Sequence, residues 1–131
     1  MKIGLDIHGV IDAHRPFFAE FSKLLVANGH EVHVMTGPRF KALKPDELKD
    51  ITYTHFFSIV DHCVENNVEV VYDGDGNPWI DQYEWNKAKG DYARLHKIDL
   101  VIDDSVDYPK FFSTPIATFK HGQMKIGDKS V

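Results

Sequence analysis

Apolar and polar positions alternate with two different periods along this chain, and the changes of period mark out its elements. In residues 2–7, "KIGLDI", Ile3, Leu5 and Ile7 fall on every second position, the period of a strand, and Gly9 closes the run. From Pro16, a residue well suited to a first helical position, Phe17, Phe18, Phe21, Leu24, Leu25 and Val26 form a helical apolar stripe that Asn28 and Gly29 stop. Residues 31–37, "EVHVMTG", return to the strand period. Two strands joined by a helix are expected to be parallel neighbours with a right-handed crossover.

Residues 38–53 are polar and irregular, suiting a loop with one helical turn after Pro45. "THFFSIVDHCVENN", residues 54–67, reads as a second helix that Thr54 can cap. "VEVVYD" reads as a strand, "DGDGN" as a hairpin turn into "PWID", and "YEWNKAKGDYARLHK" as a third helix with a glycine inside it. "IDLVIDDS" is a buried strand, "VDYPKFF" a short helical or turn segment, and "IATFKH" the last strand. This succession predicts the α/β class: a three-layer, Rossmann-like domain around a mainly parallel sheet.

Composition narrows the picture. The chain has 131 residues, 43% of them hydrophobic, which suits one domain over 1–131 with a core of its own. A formal net charge of -5 argues against a generic nucleic-acid-binding surface. Cys63, the sole cysteine, has no partner for an internal disulfide, which fits a reducing compartment; at helical spacing it reads as a buried structural thiol. The N-terminal apolar run is too short for a signal segment, and no run reaches membrane-span length, so the expected location is the cytoplasm.

Chemistry is expected beyond the carboxyl ends of the parallel strands. The first strand ends at Asp6 and His8, the second at Thr36 and Gly37, and a later one at Asp103 and Asp104. Adjacent acids at the end of a buried strand repel unless a cation compensates, and Mg²⁺ is a natural compensator. "DGDGNPWIDQYE" superficially resembles a calcium loop, but Pro78 stands where that loop needs a glycine. The other histidines, His14, His30, His33, His55, His62, His96 and His121, show no zinc-site spacing and are expected in surface or core roles.

The ordered set "LDIHGV", "VMTG", a helical lysine and "LVIDDS" resembles the haloacid dehalogenase (HAD) superfamily over residues 2 to about 108. That resemblance implies an HAD-like fold and a Mg²⁺-dependent phosphohydrolase. Asp6 would be the nucleophile that becomes an aspartyl-phosphate, and Thr36, with nearby backbone amides, would hold a phosphoryl oxygen. Asp6, Asp103, Asp104 and the backbone carbonyl of His8 would bind Mg²⁺. A lysine would neutralise charge between nucleophile and phosphate; chain spacing favours Lys89, with Lys87 as runner-up. Gly37, directly after Thr36, would contact the phosphate, and Arg39, directly after "TGP", could add a phosphate contact, although it fits a solvated loop equally well.

One position departs from the family pattern. Where its hydrolases usually carry a second Asp for acid–base work, this chain has His8. Imidazole can transfer protons near neutrality, since its ordinary pKa is about 6.5, but it is larger and aims differently. The rival reading is a catalytically weak or inactive HAD-like module that binds a phosphorylated ligand or partner. Only "VIDAHR" separates Gly9 from Pro16, and the roughly fifty residues between Thr36 and Lys89 are used up by core elements, so no sizeable cap is expected. Cap-less members tend either to act on larger substrates or to be closed by a neighbouring subunit, so the resemblance implies a phosphorylated small molecule or a larger phosphorylated substrate, with a homo-oligomer as one way to close the site.

Overall fold

The computed structural model describes residues 1–122. Its main sheet has five parallel strands in the order β3-β2-β1-β6-β7, comprising β1 (Lys2–Leu5), β2 (Glu31–Thr36), β3 (His55–Ser58), β6 (Leu100–Asp103) and β7 (Ile116–Thr118). Three helices flank it: α1 (Arg15–Ala27), α2 (Ile59–Glu65) and α3 (Gln82–Leu95). The pair β4 (Val71–Tyr72) and β5 (Pro78–Trp79) forms a separate antiparallel hairpin.

The layering follows from strand periodicity, which sends successive side chains to opposite faces. Ile3, Leu5, Val32 and Val34 meet Phe18 and Leu25 of α1 on one face. Met35, Phe57 and Val101 meet Cys63 of α2 and Ala88 and Ala93 of α3 on the other. The result is the three-layer α/β arrangement that the alternating pattern predicts.

Most elements lie where the pattern puts them. Pro16 opens α1, and Gly29, at φ +81°, follows its Asn28 cap. Gly90 inside α3 has a packing reason: a Cβ there would run into the carbonyl oxygen of Phe111, in the short 3₁₀ turn Pro109–Phe111. Cys63 is buried, and burial raises its thiol pKa.

The segment 54–67 departs from expectation. Its first part is β3, not helix, and α2 begins only at Ile59. Thr54 does not cap a helix; its hydroxyl accepts from Val32 N–H and donates to the Val32 carbonyl, fastening β3 to β2. Ser58 is the helix cap, accepting from Asp61 N–H. "VEVVYD" supplies only the two residues of β4 and stays outside the main sheet. The "DGDGN" turn is a hairpin, and the Asp73 carboxylate is engaged by the Asp75 and Asn77 amides and the Trp79 indole N–H. Among the described residues, no helix is long and apolar enough to cross a membrane.

Candidate active site

The parallel sheet brings Asp6 and Asp103 side by side. Leu5 pairs with Ile102, so the next residue on each strand stands one step beyond the β1–β6 ladder, and Asp6 N–H donates to the Ile102 carbonyl. Their carboxylates point toward α3, whose Lys89 reaches down between them. Lys89 Nζ lies 3.1 Å from Asp6 Oδ1 and 2.6 Å from Asp103 Oδ2. Lys89 is only 2% exposed, whereas Lys87 sits on another face of α3 and pairs with Glu84 at 3.4 Å. Helical phase explains the choice: two residues are about 200° apart around an α-helix, so only one of the two lysines can face the sheet.

Asp104 completes the acidic group. Carboxylate oxygens of Asp6, Asp103 and Asp104 all lie within 4.8 Å of one another. The chain makes room for this at Gly9, which has φ +87° and whose absent side chain would overlap the Asp104 carboxylate. A side-chain-bearing residue there would be strained in its backbone and would collide with that acid. Gly9 N–H also donates to Asp12 Oδ1 at 2.7 Å, fixing the wide turn Ile7–Ile11 that follows Asp6.

Electrostatics in this cluster are tense. Burial, with Asp103 alongside, raises the Asp6 carboxyl from its ordinary 3.8 to about 7, against the pull of Lys89. Burial acts to lower the Lys89 pKa, but the Asp6 and Asp103 charges outweigh it and raise it above the usual lysine value. The Tyr108 ring lies beneath the ammonium, 5.1 Å from its centroid, and Tyr108 Oη accepts from Trp85 Nε1–H at 2.9 Å.

Thr36 ends β2, next to β1, with its Oγ1 buried and without a hydrogen-bond partner. A buried orphan hydroxyl is costly, and a ligand oxygen is one way to satisfy it. The Gly37 carbonyl accepts from Ser58 Oγ and Val60 N–H, while the Trp85 ring packs where a Gly37 Cβ would be. Arg39 is engaged elsewhere: its Nε donates to Asp61 Oδ1 at 2.7 Å. Its expected phosphate contact therefore competes with an existing ion pair.

His8 is half-exposed, and its Nε2 lies 2.5 Å from Glu47 Oε1. Glu47 Oε2 accepts from Lys44 N–H; despite burial acting the other way, that bond and His8 hold the Glu47 carboxyl below its usual range. Glu47, Ser58 and Tyr108 are the neighbours that the sequence reading missed. Only Ser58 carried a local signal, the Ser-x-x-Asp pattern of a helix cap.

A scan against protein-family models finds no match to this chain, and neither does a search of curated proteins.

Proposed function

We propose that the chain is a Mg²⁺-dependent phosphohydrolase of the HAD type, with Asp6 as nucleophile. One observation carries this reading: three carboxylates and one buried ammonium, drawn from three segments of the chain, converge at the carboxyl end of the sheet. Collecting like charges there opposes folding, and sites that bind or react are where such arrangements occur. The donor set is all oxygen, which fits a hard divalent cation. Asp6, Asp103 and Asp104, with the His8 carbonyl that the family resemblance adds, would hold Mg²⁺, whose charge would help neutralise a phosphoryl group.

The chain's own residues account for the remaining chemistry. An Asp6 oxygen attacks phosphorus, and the bond to the leaving oxygen breaks with its electron pair, giving an aspartyl-phosphate. Water then attacks the same phosphorus, releasing phosphate and restoring the carboxylate. Lys89 balances negative charge on the oxygens throughout, and the unpartnered Thr36 hydroxyl suits a phosphoryl oxygen. One proton must reach the leaving oxygen and one must leave the water. With His8 Nε2 on Glu47, Nδ1 is the nitrogen left for that traffic.

The same contact supports the second reading, a module that binds phosphorylated ligands with little turnover, because it draws the imidazole toward Glu47. Phosphate release from p-nitrophenyl phosphate and a panel of phosphorylated metabolites, with Mg²⁺, separates the two. Release by wild type that Asp6→Asn abolishes supports the hydrolase. No release from any ester, with phosphate still binding in calorimetry, leaves the binding module.

A further inference from the structure

A second group of metal-ligating side chains lies at the other end of the sheet. Glu31 and His33 are two residues apart on β2 and so leave the same face, and the register pairs His33 with His55 of β3. Glu31 Oε1 stands 2.8 Å from His33 Nε2 and 3.7 Å from His55 Nδ1. All three residues can present a ligand atom within 4.8 Å of the others. Glu31 opens β2 and Thr36 closes it, so this group is separated from Asp6 by the length of the strand.

We propose that Glu31, His33 and His55 form a binding site for a borderline divalent cation, Zn²⁺ above all. Two imidazoles and one carboxylate suit Zn²⁺ better than Mg²⁺ or Ca²⁺, the reverse of the all-carboxylate group at Asp6. Three protein ligands leave a fourth tetrahedral position for water, on the side where Glu31 and His55 meet solvent.

His33 is the anchor. It is 1% exposed, and its Nδ1 lies 2.6 Å from the Tyr92 hydroxyl of α3, an outer partner that fixes the ring and leaves Nε2 toward Glu31. His55 and Glu31 are the mobile arms. The His55 ring stacks on His33 at 4.2 Å and would turn out of that stack to aim a nitrogen at the ion, exchanging its contact with Thr54 Oγ1. Lys2 is the flanking cation: its Nζ donates to the His96 carbonyl, and its charge helps lower the Glu31 pKa, after the larger effect of the His33 hydrogen bond. A Zn²⁺ ion must displace that balance. No linear motif announces this group, because it depends on strand register across the 21 residues between His33 and His55.

The test uses the full chain carrying Asp6→Asn, which weakens the carboxylate site. Calorimetry with Zn²⁺ is expected to show one equivalent bound, and Co²⁺ is expected to give visible ligand-field bands. Adding His55→Ala, at an exposed edge-strand position, should weaken both by about tenfold or more, whereas His62→Ala on α2 should leave them unchanged. Binding no tighter than about 1 mM, or affinity unmoved by His55→Ala, would overturn the proposal.

Discussion

Replacing Asp6 by Asn should make the metal-free protein more stable at alkaline pH while removing the proposed nucleophile. The Asp6 carboxyl stands at about 7 in the folded protein against an ordinary 3.8, because burial and Asp103 disfavour its charge more than Lys89 favours it. Between those two values the folded state holds a proton that the unfolded chain has released. The Asp6 contribution to wild-type stability therefore falls as pH rises from about 4 to about 7, and levels off above that. The full gap corresponds to roughly 4 kcal/mol, of which roughly 2–3 kcal/mol accrues between pH 5 and pH 8. An amide has no such charge to bury, and its oxygen can still accept from Lys89.

Urea unfolding of both proteins in EDTA, at pH 5 and pH 8, measures the effect directly. Carboxylates common to both proteins largely cancel, so the stability advantage of Asp6→Asn should widen with pH. Mg²⁺ should then stabilise wild type more than the variant, by about 2.7 kcal/mol at a hundredfold excess over the dissociation constant. An advantage that stays constant or shrinks from pH 5 to pH 8 would refute the reasoning. It would mean that Lys89 outweighs burial and that Asp6 titrates as an ordinary acid.

Two further substitutions probe the supports of the site. Lys89→Met leaves Asp6 and Asp103 facing each other without a cation, and urea unfolding at pH 8 should show a loss of about 3 kcal/mol or more, together with loss of phosphate release. Gly90→Ala should destabilise by about 1–2 kcal/mol despite the better helix former, because its Cβ meets the Phe111 carbonyl; a raised urea midpoint would contradict that packing.

What the sequence made legible was whatever one element determines alone. Asp6, Thr36 and Asp103 could be placed from their positions at the ends of strand-period runs, and Lys89 could be favoured from its spacing before the acidic pair. The β3 strand was hidden because "HFFS" runs straight into "IVDHCV", and the two periods blur in one apolar stretch. The Ser58–Asp61 spacing was the one local mark of that boundary. The partnerships of His8 with Glu47 and His33 with His55 were out of reach for a different reason. They depend on how a loop folds back and how strands register, and no periodicity along the chain encodes either.

The loop beneath His8 bears on whether that histidine is a working part. Arg15 of α1 donates to the Glu47 and Lys49 carbonyls, Ser22 of α1 accepts from Thr52 N–H, and Lys44 N–H fixes the Glu47 carboxylate that meets His8. These bonds hold the Glu47 carboxylate where the imidazole meets it, so a proton carrier at position 8 would be a positioned one. The same arrangement also sets what an acid at position 8 would do. An Asp at position 8 would lie near the Glu47 carboxylate, and like charges at that range oppose ionisation of one of them. His8→Asp alone should therefore leave phosphate release unchanged or lower, and pairing it with Glu47→Gln should recover part of the loss. If His8→Asp by itself raises turnover severalfold, Glu47 is not a functional partner and the histidine is an impairment of the site.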